Sequence, residues 1–342
     1  MTPERARAAI LAVDGGNSKT DIALVAADGR LLAALRGPTT SHKRVGLEAG
    51  ADRLAGLFQE ARARAGLGAG DPPADWGVYA LAGADTPGDT RRLSAALTDR
   101  HLARNGLVIN DAFAPIRAGS SRAWGIALIC GSGINAAGIA PDGRTARLAA
   151  LGGISGDWGG GGDVGLAALG AAVRARDGRG PRTELATLVP RQFGFSRPID
   201  LTRAIELGSV PEARLRELSP LVFQVALRGD AVARSIIDRL ANELAAMAGA
   251  MIRRLNLTRR DPDVVLAGGV FNARDVDFET RIAAGVHAVA RGATIRRSDA
   301  PPVLGAALLG LDRLLDRTGS SRHASAETRL RAALRAWEPT DR

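Results

Sequence analysis

Two stretches of this chain carry the same three-part pattern, and no other feature restricts the fold as much. From Ile10 to Leu32 an apolar strand runs into a glycine turn, a second strand, the tripeptide Asp28-Gly29-Arg30 and a third strand. From Trp124 to Leu148 the pattern returns as GIALICGSGINAAGIAP, then Asp142-Gly143-Arg144, then RTARLAAL. Asp-Gly between alternating apolar residues is a strong hairpin signal. Two copies with matching turns predict a duplicated α/β architecture, and chance similarity of short strands is the weaker explanation. A length of 342 residues suits two domains of ordinary size.

Between the copies, Gly46 to Gly66 has apolar residues at helical spacing (Leu47, Leu54, Leu57, Phe58). Two short apolar strands follow: Trp76 to Leu81, running to Gly83-Ala84-Asp85, and Leu107 to Ile109, running to Asn110-Asp111. After the second copy, eight glycines fall among the fourteen residues Gly152 to Gly165, and a helix is expected from Leu166. Ala/Arg/Leu helices extend to Leu255, and Val264 to Leu266 reads as the last buried strand, entering Ala267-Gly268-Gly269. Strands alternating with helices imply largely parallel sheets. The expected domains are 1–115 and 116–320. From Asp316 the chain is Arg-rich, and 321–342 reads as a peripheral helix or frayed tail with no assigned function.

Composition removes several classes of function. The single cysteine, Cys130, excludes internal disulfides, a cysteine-only zinc site and an iron–sulfur cluster on this chain. The net charge of +10 invites a nucleic-acid partner, but among 46 basic residues only Lys19 and Lys43 are lysine, and the arginines are scattered along helical patterns. Aromatic residues make up 4%, too few for base-stacking platforms, so no nucleic acid is expected. No apolar run reaches membrane-spanning length, and the opening apolar stretch is too short for a signal-peptide core, so no membrane is expected and the cytoplasm is the expected compartment.

Chemistry is concentrated at the strand ends. Asp14-Gly15-Gly16-Asn17-Ser18-Lys19-Thr20 joins strand to strand, so it is neither a P-loop nor a dinucleotide fingerprint. A glycine hairpin can still converge N–H groups on a phosphate, with Ser18, Lys19 and Thr20 as further donors and Asp14 holding a hydrated Mg²⁺; an ordinary tight hairpin reads equally well. Gly131-Ser132-Gly133 repeats the device in the other half, and two such hairpins facing across a cleft would clamp the phosphates of a nucleotide, as phosphoryl transfer requires. Asp111, at a strand's carboxyl end, is placed either to accept a proton or merely to cap the next helix. The glycine segment, with Asp157, Asp163 and Trp158, looks too glycine-dense for packing to explain; it suits a sugar or a hinge. Ala267-Gly268-Gly269-Val270-Phe271-Asn272 could let an adenine lie on bare backbone.

In order and spacing these segments resemble the BadF/BadG/BcrA/BcrD ATPase family, in its N-acetylglucosamine kinase branch, from about Ile10 to Leu311. The resemblance implies two actin-like (ribonuclease H-like) α/β domains, each a mixed sheet flanked by helices, with a nucleotide cleft between them. It implies ATP and Mg²⁺ as cofactors, with Asp14 to Asp21 as the first phosphate loop and Asp14 on the metal. Asp111 would take the proton from the 6-hydroxyl of an amino sugar. Gly131-Ser132-Gly133 would be the second phosphate loop, with serine for the usual threonine, and Gly268, Gly269 and Asn272 the adenosine side. Ser41, His42, Asp85, Gly153 and Asp157 would bind the sugar. N-acetylglucosamine is the expected acceptor, glucosamine, N-acetylmuramate or another hexose the alternatives, and a homodimer the expected assembly; a switch ATPase without sugar transfer is the reading from another class. The departures fall on the sugar side: Ser41 for asparagine, Lys43 for an aromatic in some members, Trp158 for the glutamate after Asp157, and Gly162-Asp163 for a usually aromatic pair. The branch that activates radical enzymes needs cluster cysteines, which this chain lacks.

Overall fold

The computed structural model describes residues 7–68, 70–315 and 321–338. Among the described residues the ten strands are β1 (Ile10–Gly15), β2 (Lys19–Val25), β3 (Leu31–Pro38), β4 (Ala74–Leu81), β5 (Ala103–Asn110), β6 (Gly125–Cys130), β7 (Ile134–Ile139), β8 (Thr145–Arg147), β9 (Asp263–Ala267) and β10 (Thr294–Arg297). They form two five-stranded sheets, ordered β3-β2-β1-β4-β5 and β10-β9-β6-β7-β8. Counted from the first hairpin outward, these are one topology used twice. In each sheet three strands meander antiparallel and two more add parallel to the opening strand. The sheets are therefore mixed rather than largely parallel, and β10 follows the strand expected to be last.

The Asp-Gly-Arg turns match atom for atom. Asp28 Oδ1 accepts from the Arg30 N–H at 3.1 Å and Asp142 Oδ1 from the Arg144 N–H at 3.1 Å. The intervening glycines sit at φ +82° and +84°, left-handed backbone that glycine adopts without strain.

The chain divides into two contact units, one running to Ala123 and resuming at Ser298, the other spanning Trp124–Arg297. The expected boundaries at 115 and 320 are corrected by the chain's end. The helix Val303–Leu314 packs on the first sheet, where Gly310 lies so close to Ile10 that a Cβ would be 2.5 Å from its Cγ2. The closing helix Ser321–Arg335 is not peripheral, because Leu330 and Leu334 are fully buried in the apolar cluster that also holds Ile10, Val25 and Leu308. Of the expected tail, 339–342 lie outside the described residues. In the second unit, the 24-residue helix Ala231–Arg254 backs the second sheet through Ile237, Leu240, Leu244 and Met251. No helix among the described residues is long and apolar enough to cross a membrane.

Candidate active site

In the first unit, register sets out the site. Strands β1, β4 and β5 are parallel, so their carboxyl ends share one edge, with Gly15 opposite Leu81 and Leu81 opposite Asn110. One row back, Arg36, Asp21 and Asp14 lie side by side across β3, β2 and β1. Like charges directly opposite one another are destabilising, and Arg36 offsets part of this by donating to both Asp21 oxygens, at 2.7 and 2.9 Å. Asp14 lacks such a fork. Burial first, then the negative charges of Asp111 and Asp21, push its carboxyl up to about 8 against the pull of Lys19 and Arg36. A carboxylate so burdened suits a divalent cation. The described residues hold no cluster of three or more His, Cys, Asp or Glu that could cage a metal. A cation such as Mg²⁺ usually takes one or two carboxylates and completes its shell with water and phosphate oxygens.

Asp111 stands just past the end of β5, in the short turn Asp111–Phe113, and it is not the cap. Asn110 caps that turn, its Oδ1 accepting from the Ala112 N–H at 3.1 Å, while its Nδ2 donates to Asp85 at 2.9 Å. The other Asp85 oxygen pairs with Lys43. Asp85, assigned to the sugar by resemblance, is thus bonded to the residue before Asp111. His42 lies against Gly83, whose φ of +91° and missing side chain make room for the imidazole: a Cβ would sit 2.7 Å from His42 Cε1.

The turn between β1 and β2 exposes Asn17, Ser18 and Lys19. Thr20 departs from expectation. Alternation along β2 turns it inward, fully buried, where its hydroxyl meets Thr40 Oγ1 at 3.0 Å and accepts from the Thr40 N–H at 3.1 Å. It braces the turn instead of offering a donor. Thr39 donates to the Gly16 carbonyl at 2.8 Å, and the buried Ser41 hydroxyl donates to Asn17 Oδ1 at 2.8 Å. Sequence reasoning passed over Arg36, Thr39 and Thr40. The hydroxyl run Thr39-Thr40-Ser41 closing β3 was the available signal; nothing local marks Arg36.

In the second unit the turn Gly131-Ser132-Gly133 sits at the same topological place, and Gly268 follows β9 beside it. A Cβ on Gly268 would lie 2.3 Å from the Cys130 carbonyl oxygen, and φ there is +107°. Gly269 opens the turn Gly269–Ala273, on which Asn272 is exposed. The helix expected from Leu166 begins at Gly160 and runs to Asp177. Its first amides are used on the glycine turn, Gly161 N–H donating to the Gly131 carbonyl at 2.7 Å and Gly162 N–H to the Ser132 carbonyl at 2.9 Å.

Much of the glycine density is therefore packing, contrary to expectation. A Cβ on Gly160 would stand 2.4 Å from Gly133 Cα, one on Gly165 1.9 Å from the Leu215 carbonyl oxygen, and one on Gly159 2.7 Å from Leu240. Only the first part of the segment is open, with nothing within 4 Å of a Cβ on Gly152, Gly153 or Gly156. Asp163 holds its own helix start by accepting from the Gly159 N–H at 2.7 Å. Asp157 lies in the open part, bonded to Ser155, and its N–H donates to the Gly152 carbonyl at 3.1 Å. Trp158 gives a face to Arg239, whose guanidinium carbon lies 3.8 Å from the ring centroid, so that face is closed to a sugar.

Comparison with known proteins agrees with this layout. The chain is 28% identical over 271 residues, 77% of its length and 85% of the other's, to an N-acetylmuramic acid/N-acetylglucosamine kinase of Clostridium acetobutylicum. It is 25% identical over 311 residues, 88% of its length and 97% of the other's, to an N-acetyl-D-glucosamine kinase of Dictyostelium discoideum. The fold matches the crystal structure of a proposed N-acetylglucosamine kinase from Chromobacterium violaceum, with a TM-score of 0.67 at 23% identity, covering 89% of this chain and 99% of that one. The profile of the BadF/BadG/BcrA/BcrD ATPase family matches residues 11–310, from the first residues of β1 to the last helix before the closing one. The chain belongs to the BadF/BadG/BcrA/BcrD ATPase family.

Proposed function

We propose that this protein is an ATP-dependent sugar kinase that transfers the γ-phosphate to the 6-hydroxyl of an amino sugar, with N-acetylglucosamine as the first candidate. The observation that carries this reading is the shared edge of β1, β4 and β5, where Asp14 and Asp111 are close enough for the charge of one to raise the carboxyl of the other. The names of the two relatives and the family membership support it.

In this reading Asp111 accepts the proton of the attacking hydroxyl. Because Asn110 supplies the helix-capping bond, the Asp111 side chain is not needed for it. Asp14 would hold Mg²⁺, which when bound neutralises phosphate charge and orients the γ-phosphoryl group. Backbone of the glycine turns, Gly15 to Lys19 and Gly131 to Gly133, would hold phosphate oxygens, and bare backbone at Gly268 and Gly269 would receive the adenosine. Asp85, Ser41 and His42 would line the acceptor side in the first unit, and Gly153 and Asp157 in the second. Asp157 is preferred to Asp163 because Asp163 is occupied at its helix start.

The test is ADP release from ATP over a panel of N-acetylglucosamine, glucosamine, N-acetylmuramate and glucose. ADP release that depends on an amino sugar, with a phosphorylated sugar recovered, is the expected outcome. Hydrolysis indifferent to every sugar would favour a nucleotide-driven switch instead.

A further inference from the structure

Beneath the Asp111 turn lies an ion cluster that the roles above do not use. Arg117 belongs to the helix Ala114–Gly119, which starts as the Asp111–Phe113 turn ends, and it is 1% exposed. Its guanidinium donates to both Asp312 oxygens at 2.8 and 3.0 Å, to both Glu327 oxygens at 2.8 and 2.6 Å, and to the Ser120 carbonyl at 3.0 Å. Asp312 comes from the helix Val303–Leu314 and Glu327 from the closing helix. Arg331, one turn beyond Glu327, donates to Glu327 at 2.8 Å and to the carbonyls of Arg117, Ala118 and Ser120 at 3.1, 2.6 and 2.7 Å. His323 Nε2 lies 2.8 Å from Asp312 Oδ1. Burial works to raise the Glu327 carboxyl, but the bonds and charges of Arg117 and Arg331 bring it down to about 2.

This cluster grips one end of a helix only six residues long. So short a helix has little stability of its own and takes its place from what surrounds it. At its other end a Cβ on Gly305 would stand 1.9 Å from the Ala114 carbonyl oxygen, so the backbones of two helices touch there. Asp111 therefore stands on a turn held in front by Asn110 and behind by a helix whose position is dictated from the far end of the chain.

We infer that Arg117 is a positioning residue for Asp111, and that the closing helix Ser321–Arg335, through Glu327 and Arg331, sets where the Asp111 carboxylate stands at the sheet edge. The inference rests on the reading of Asp111 as the proton acceptor. Reacting groups displaced by about 1 Å can lose on the order of 10²-fold in rate, so a small slip of the helix registers in turnover before binding.

The test uses the full chain carrying Arg117→Lys, which cannot fork to two carboxylates, with Glu327→Gln as the milder variant should the first not fold. Leu330→Ala is the control, since Leu330 is buried on the same helix outside the ion cluster. Phosphate transfer is measured where all variants are folded, beside hydrogen exchange of residues 107–116 in the nucleotide-free protein. In the substituted proteins kcat should fall about tenfold or more, with KM for ATP and sugar within about twofold and faster exchange at Ala112 to Ala114. Leu330→Ala, with an equal or larger loss of melting temperature, should keep kcat within about twofold. Unchanged kcat in both cluster variants, or an equal fall in Leu330→Ala, overturns the inference. If the wild type phosphorylates no amino sugar, the kinase reading fails, while exchange at residues 112–114 still decides whether Arg117 holds the turn.

Discussion

The turn that ends β1 is flanked by Asp14, Lys19 and Asp21, whereas the turn that ends β6, at the same place in the same topology, is flanked by Cys130 and Ile134. The contrast extends along both edges. β5 ends in Asn110 and is followed by Asp111; beyond β9 come Gly268 and Gly269. The first turn is braced by hydroxyls from Thr39, Thr40 and Ser41, the second by the glycine-rich start of a helix. One scaffold used twice thus gives one edge rich in ionisable groups and one stripped to backbone. In the proposed reading, chemistry that needs a proton acceptor and a metal would fall to the first, and close approach to a ligand to the second.

Three experiments would break or sharpen that division. The largest effect is expected at Asp111. Replacement by asparagine keeps the shape but cannot accept a proton, and loss of a general base costs about 10²–10⁴ in rate. Sugar-dependent ADP formation should fall by that amount while nucleotide binding, read by calorimetry, stays near wild type. Near-normal turnover would mean that the ionisable edge is not the chemical one.

Next comes the bare edge. Gly160 has φ +78° and its Cβ would stand 2.4 Å from Gly133 Cα, so Gly160→Ala must push the second turn aside. It should lower stability by about 1–3 kcal/mol and weaken ATP binding, as overpacking and a strained φ would. Gly153→Ala meets open space and should leave the melting temperature nearly unchanged. If the two variants behaved alike, glycine in this segment would not be serving backbone contact.

The last experiment concerns the electrostatic burden on Asp14. An unfolded chain ionises this group near 3.8, whereas the folded chain keeps its proton up to about 8, so the folded state binds more protons across that window. Stability of the nucleotide-free, metal-free protein should therefore decline as pH rises from about 4 to 8. Asp14→Asn should flatten that decline and raise the melting temperature at pH 8, by about 2–4 °C for each kcal/mol relieved, with little change at pH 4. Activity should be lost at the same time, the usual opposition between stability and function at a charged site. A pH-independent difference between variant and wild type would place the burden elsewhere.

What could be read without a structure was whatever is written within a few residues. The duplicated strand–turn–strand unit, the strand that delivers Asp111 and the bareness of Gly131 to Gly133 all follow from alternation, turn chemistry and strand length. The two Asp-Gly-Arg turns were legible for the same reason, since each closes its bonds inside three residues. From the sequence Asp111 reads equally as proton acceptor or helix cap, because nothing local distinguishes which of two adjacent polar residues turns back on the chain. The structure gave that task to Asn110.

Tertiary structure decided the rest. Glycines that read as a sugar-binding loop or a hinge are in large part packing contacts, because only the fold brings Gly133 against Gly160 and Leu215 against Gly165. Thr20 faced inward because Thr40 waits there. An Arg-rich end that reads as a solvated tail became part of the first unit's core, since the partners of Arg117 lie 195 and 210 residues away in sequence. Local conformation depends on neighbours along the chain and can be read from them. Which helix end meets which turn depends on how sheets and helices cover one another's apolar faces, and no short stretch of sequence contains that information.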